Sequence, residues 1–341
     1  MLITDLGLLD TSVEDGLVES TSVLQTAEPV VIEPRGPFGA ESVTEAARVL
    51  RRLAAPTVLV GEPGLPEELV AAADVCVTSE PDPPAPWVRA TANQVSETVH
   101  RQPLAALSLV VLLRDTVGLD VWSAIAEESA TYAMLLGSSA FDEWLARRGP
   151  RRHKPATGPP VQAERVDDVL MLTLDRPETC NAIDSQMRDA LVELLGVAAG
   201  DPSLSVELRG NGPSFCAGGD LDEFGSVKDP AVAHAVRLTR HPGRSLSAIA
   251  PRATCYVHGP CVGAGVEIPA FASTVIADAS TTFRLPEVGM GLVPGAGGTV
   301  AIPRRIGRHR TAWLALSGAT IDSSVGMAWG LVDEIGGTFI E

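Results

Sequence analysis

Residues 253–278 read ATCYVHGPCVGAGVEIPAFASTVIAD, and the succession of patterns in them decides the fold. ATCYVHG (253–259) is apolar and β-branched enough to form a strand. Small residues, His258-Gly259-Pro260-Cys261-Val262-Gly263-Ala264-Gly265, then allow a tight turn, after which Val266-Glu267-Ile268 begins a helix. TVIAD (274–278) is a second strand. Strand, turn, helix, strand is one unit of a mostly parallel sheet with right-handed crossovers.

The same alternation extends upstream. DVLMLTLD (168–175) and SVELRGN (205–211) read as strands, and residues 185–197 form a helix that Asp184 is placed to cap. VVIEP (30–34), TVLVG (57–61) and 75–78 are further strand candidates, with helices over 40–54 and 69–74. The middle of the chain is helical. Ala105, Leu107, Leu109, Val110, Leu112 and Leu113 make an apolar stripe, which Glu127, Tyr132, Leu135, Leu136, Phe141 and Trp144 continue beyond a break near Gly118. Such a face must be buried against something. The expected fold class is α/β.

Composition narrows the function. Apolar residues make up 45% of the 341, enough for a substantial core. A formal charge of −17 argues against nucleic acid as a partner, though it leaves room for an anionic substrate met by local cations. One basic run, Arg147, Arg148, Arg151, Arg152, His153 and Lys154, reads as a solvated linker or as a contact for a phosphate-bearing ligand. The five cysteines are odd in number and lack a CxxC pair, so neither a disulfide framework nor a zinc site is expected. The N-terminus carries acids where a secretory signal carries bases. The apolar run at 104–113 is too short to cross a bilayer. A soluble cytoplasmic protein without a membrane partner is expected.

Three segments hold residues suited to chemistry. Ser214-Phe215-Cys216-Ala217-Gly218-Gly219-Asp220-Leu221 follows a strand, and its small residues leave backbone N–H groups open to a ligand. Taken alone it is a glycine-rich turn, and most such turns are structural. In 258–268 a helix start offers unpaired N–H groups and a positive dipole end, suited to a developing oxyanion. Glu267 there reads equally as a favourable first-turn carboxylate with no chemical role. The third segment, 283–299, sets Glu287 in a Pro- and Gly-rich loop that leads to another helix.

Together these segments resemble the crotonase, or enoyl-CoA hydratase/isomerase, family over about residues 165 to 335. Asp175-Arg176-Pro177-Glu178, Asn181-Ala182-Ile183-Asp184 and Leu331-Val332-Asp333-Glu334 strengthen the match. The resemblance implies a ββα spiral core and an acyl-CoA substrate. It also implies an enolate held by the backbone N–H groups of Ala217 and Ala264, with Glu267 and Glu287 moving the proton of one water. Phe215, Ala217, Gly219, Asp220 and Leu221 match the family's adenine-contacting segment. Two glutamates favour a hydratase, with an isomerase or a hydrolase on the same scaffold, or a non-catalytic acyl-CoA binder, as alternatives. No metal is expected, no cofactor beyond the coenzyme A of the thioester, and a homo-oligomer, trimer or hexamer, by family habit.

Two departures from the family stand out. The family's C-terminal helices have no room after residue 335, yet 93–148 resembles them in order: QPLAALSLVVLLRD, EESATY, FDEWLARR. Residues 53–74 resemble an eroded copy of 249–273, with Asp74 where the second copy has Ser273. The expected organisation is a degenerate α/β segment over 1–92, helices over 93–150 that cover the site, a Pro-rich linker over 151–160, and a catalytic core over 161–341. An unrelated N-terminal domain is the alternative.

Overall fold

The computed structural model describes residues 1–9, 14–149 and 158–336. The C-terminal half is built on six strands. They are β6 (Val161–Val166), β7 (Val169–Leu174), β8 (Ser205–Gly210), β9 (Ala253–Val257), β11 (Thr274–Ala277) and β14 (Glu334–Ile335), in the spatial order β14-β11-β9-β8-β7-β6. All pairs are parallel except the β6–β7 hairpin. Side chains on β7 alternate, with Leu170, Leu172 and Leu174 turned inward, as one covered face requires. The Ser185–Gly200 helix covers that face with Met187, Leu191, Leu195 and Ala198, and the Asp184 carboxylate caps it through the Met187 N–H at 2.7 Å.

Two segments were not evident from sequence. β6 has five non-buried residues of six, so it lacks the apolar alternation that marks β7. Within the small-residue turn lies a further strand, β10 (Pro260–Val262). It forms a three-stranded sheet with β12 (Thr282–Arg284) and β13 (Thr320–Asp322). The parallel pairing of β10 with β12 brings the second and third chemistry segments together.

The N-terminal half has its own parallel sheet of β1 (Leu2–Ile3), β2 (Val30–Ile32), β3 (Thr57–Val60), β4 (Val75–Thr78) and β5 (Val88–Arg89), adjacent in chain order. The expected helices are present at Ala40–Leu50 and Glu67–Ala72. The middle segment folds as four helices, Asn93–Arg101, Pro103–Asp115, Val121–Leu136 and Ser139–Arg148.

The halves share one core. The Arg308–Ser317 helix is buried from Arg310 to Leu316 and runs between them. His309 Nε2 lies 3.0 Å from the Val70 carbonyl, and Arg310 donates to the Pro83 carbonyl at 3.3 Å. Asp74, 1% exposed, accepts two bonds from Arg114, at 2.8 and 2.6 Å, and two from Thr57, and Arg308 stands 3.7 Å away. Ser273, which precedes β11 as Asp74 precedes β4, donates its hydroxyl to the Ala253 carbonyl. The nearby Arg305 guanidinium bonds the Ala270 and Ala272 carbonyls and Asp333 instead.

Candidate active site

Most of the chemistry-bearing residues converge on one cavity of about 220 Å³. One wall is the turn after β8, the second is the turn after β10, and the third is the loop 287–298. The first two walls are joined by a parallel bridge between Cys216 and Cys261. Three residues beyond that bridge on either side stand Gly219 and Ala264, and both line the cavity.

The expected pairing of N–H donors is corrected here. Ala217 donates its N–H to the Cys180 carbonyl at 2.9 Å and does not line the cavity. Gly218, at φ +99°, turns the chain, and Gly219 next pairs with Ile183 so that its own N–H faces away from that bridge. The bridge uses the Ile183 and Asp220 N–H groups and leaves that of Gly219 unpaired. Ala264, first in the Ala264–Glu267 helical turn, also has an unpaired N–H. The two open donors are thus Gly219 and Ala264. Of the five residues matched to adenine contact, Gly219 and Asp220 line the cavity, while Phe215, Ala217 and Leu221 do not.

Gly263 sets the angle of the second wall. Its φ of +51° and ψ of −117° suit glycine alone. A Cβ here would stand 2.3 Å from Glu287 Oε1 and 3.8 Å from Glu267 Oε1. The missing side chain is therefore the point on which both carboxyls converge. Glu267 is 2% exposed and Glu287 8%. Oε2 of Glu267 accepts the Ala296 and Gly298 N–H groups at 2.7 and 2.8 Å, which fixes its second oxygen toward the cavity. Oε2 of Glu287 is buried without a partner.

Burial dominates the electrostatics. Desolvation pushes Glu287 up to about 7, helped by the Glu128 carboxylate. Glu267 is raised well above the ordinary carboxylate range by burial, then by Glu287 and Glu128, against the pull of its two N–H donors. Two carboxyls so placed do not both ionise readily near neutral pH.

Glu128 is a member of this cluster that the apolar pattern did not single out. It is 1% exposed on the Val121–Leu136 helix, and its oxygens accept the Gly297 N–H at 2.7 Å, the Thr299 N–H at 2.9 Å and the Thr299 hydroxyl at 2.6 Å. The stripe had included Glu127, which is exposed. The inward face runs through Ala124, Ile125, Glu128, Ser129 and Tyr132, so a glutamate amid apolar residues at helical spacing was the available signal. Tyr132 and Leu136 line the cavity, and the Tyr132 ring fills the space a Cβ at Gly295 would need, 2.2 Å away. The next helix adds Leu145 against Gly225, Trp144 near Phe224, and an Arg148–Asp222 ion pair. The other basic residues of that run, Arg151 to Lys154, lie outside the described residues.

The remaining candidates are structural. His258 Nε2 lies 2.8 Å from the Gly212 carbonyl. Cys216 and Cys261 are fully buried, with thiols held protonated by desolvation, that of Cys216 pushed up to about 12. No helix among the described residues is long and apolar enough to cross a membrane.

The family model for enoyl-CoA hydratase/isomerase matches residues 164–338, and the chain belongs to that family. The 2,3-dehydroadipyl-CoA hydratase of Escherichia coli K12 is 36% identical over 50% of this chain and 67% of its own length. The enoyl-CoA isomerase/hydratase fer4 of Mycosarcoma maydis is 31% identical over 52% of this chain and 68% of its own. An enoyl-CoA hydratase from Thermoplasma volcanium has a solved structure of TM-score 0.49 and 31% identity, covering 52% of this chain and 72% of that one. The chain spans about two thirds of the length of such relatives, and residues 1–160 lie almost wholly outside the match. The α/β fold is that of a crotonase-type core, and the protein is an acyl-CoA enzyme at the level of its family.

Proposed function

We propose that this chain adds water to a 2-enoyl-CoA thioester. The observation that carries the proposal is the convergence of Glu267 and Glu287 on Gly263, beside the open N–H groups of Gly219 and Ala264. The thioester carbonyl accepts bonds from those two donors, which stabilise the enolate as charge moves onto oxygen. Loss of one such donor costs about 3–4 kcal/mol of barrier. One glutamate takes a proton from water as its oxygen bonds to C3. The other gives a proton to C2 as the enolate collapses. The raised proton affinity of both groups lets one be acid while the other is base near neutral pH.

Residues 93–148 are read as counterparts of the family's C-terminal helices, closing the site from the N-terminal half, as Tyr132 and Leu136 in the cavity wall support. Residues 1–92 are read as a repeat without an oxyanion turn. The parallel pair of β3 and β4 around the Glu67–Ala72 helix supports this, because it repeats β9 and β11 around Ala264–Glu267.

The test is the loss of conjugated-enoyl absorbance on mixing purified protein with a panel of 2-enoyl-CoA esters, beside Glu267→Gln and Glu287→Gln. Turnover by the wild type and by neither variant is expected. Binding of the esters with no absorbance change by the wild type would overturn hydration and leave isomerisation, hydrolysis or simple binding.

A further inference from the structure

The cavity contains two hydrogen-bond donors that hydration of an enoyl group does not use. Arg237, on the Pro230–Thr239 helix, lines the cavity with its guanidinium 3.8 Å above the Tyr132 ring. It donates to the Ala233 carbonyl at 3.3 Å, hydrogen-bonds the Tyr132 side chain and feels the Glu128 carboxylate, but among the described residues it forms no ion pair. His241 follows four residues on, past the end of that helix, and caps the Pro242–Ser247 helix. It is 3% exposed and also lines the cavity. Its Nδ1 accepts the Arg244 N–H at 3.1 Å, which fixes the ring proton on Nε2. That Nε2 is buried with no partner. Burial and the neighbouring Arg244 and Arg237 keep the ring neutral, its pKa pushed down to about 4.

A buried N–H without an acceptor is costly, and a partly enclosed guanidinium over an aromatic ring calls for an anion. Both groups stand against the loop that orients Glu267. His241 Cε1 is 3.2 Å from where a Cβ at Gly297 would be, and the Tyr132 ring beneath Arg237 abuts Gly295. They therefore flank the acyl end of the cavity. The neighbouring cations differ: Arg188 pairs with Asp189 at 2.9 Å and Arg240 with Glu193 at 3.4 Å.

Resting on the hydratase reading, we infer that the acyl pocket selects a chain ending in a carboxylate, held by the Arg237 guanidinium and the His241 Nε2–H. An oxygen there satisfies the orphan histidine donor, and the charge satisfies the arginine.

The test compares 2-enoyl-CoA esters of equal chain length ending in methyl or in carboxylate. The carboxylate ester is expected to have a kcat/KM at least about tenfold higher. Arg237→Leu should abolish that preference, lowering kcat/KM for the carboxylate ester at least about tenfold more than for the methyl ester, and Arg237→Lys should restore part of it. Equal kcat/KM for the two esters in the wild type would overturn the inference. So would an equal loss on both in Arg237→Leu, which would assign Arg237 to the coenzyme A phosphates. Titration with the saturated acyl-CoA and ω-carboxyacyl-CoA pair reads the same preference as affinity. Should no ester turn over, a tenfold affinity preference lost in Arg237→Leu would uphold carboxylate selection though the hydratase reading had failed, and equal affinities would overturn both.

Discussion

Glu128 and Glu267 hold alternate N–H groups of a single loop. Glu267 takes those of Ala296 and Gly298, and Glu128 takes those of Gly297 and Thr299. One carboxylate comes from the family core and the other from a helix in the opposite half of the chain. The loop that orients Glu267 is thus itself held by the N-terminal segment.

Glu128 is accordingly a positioning residue. Glu128→Gln keeps the shape but leaves one oxygen where two accept three bonds, so at least one donor is lost at a cost of about 1–3 kcal/mol. The expected result is a kcat lowered about 10- to 100-fold with KM changed less than threefold, because the reacting groups are misplaced more than the thioester is released. Steady-state kinetics on any accepted ester checks this. A fall in stability with unchanged kcat would give Glu128 a structural role alone.

The raised carboxyls make a prediction about pH. Glu128 and Glu287 both move from an ordinary 4.5 to about 7 on folding. Between those values the folded chain holds protons that the unfolded chain has released. The stability these groups contribute is full below pH 4.5 and is lost as pH rises through 7. Glu287→Gln removes one of the two without losing a hydrogen bond to Oε2, which has none. Denaturant midpoints should show the variant more stable than wild type by roughly 1–3 kcal/mol at pH 8. No gain is expected at pH 4, and turnover should be lost at both. Greater stability at an active site's expense is the usual trade.

Gly263→Ala should be worse than its one added methyl suggests. The left-handed backbone there strains any Cβ, and that Cβ would lie 2.3 Å from Glu287 Oε1. Activity should fall at least about a hundredfold, the scale of a misplaced reacting group. Gly289→Ala, where a Cβ meets nothing within 4 Å, should be nearly neutral and serves as the control.

How much of this was legible in the sequence differs from residue to residue. Glu267 and Glu287 were legible because a strand–turn–helix pattern and a Pro/Gly loop are local signals. The identity of the open donor was not. Whether the Ala217 or the Gly219 N–H faces the ligand depends on the φ of Gly218 and on a bridge to Ile183, both settled by tertiary pairing. β6 escaped because a strand at the sheet edge, mostly open to water, needs no apolar alternation. Glu128 and His241 escaped because a buried polar residue looks like a surface one until its partners are known. The likeness of 93–148 to the family's closing helices rests on the order of their motifs alone.

Asp74 ties the two halves together, and its removal should be felt throughout. Asp74→Asn leaves Arg114, 11% exposed on its side chain, without its charge partner and weakens the hold on Arg308. Breaking such a buried pair costs about 3–5 kcal/mol. Thermal melts should show a single transition moved down by several degrees. Two separate transitions would mean that the halves unfold independently, against the shared core around the Arg308–Ser317 helix.

The strongest consequence concerns the core on its own. Residues 161–341 alone would lack Glu128, Tyr132, Leu136, Phe141 and Leu145, and would expose the apolar residues beneath them. The Gly297 and Thr299 N–H groups would lose their acceptor, and one end of the cavity would open to water. That fragment should be insoluble or at least about a hundredfold less active. Co-expression with 1–149 should restore both solubility and turnover, since the contacts are non-covalent. A soluble and fully active 161–341 would show that the N-terminal helices take no part in the site, and would return residues 1–160 to the standing of an appended domain.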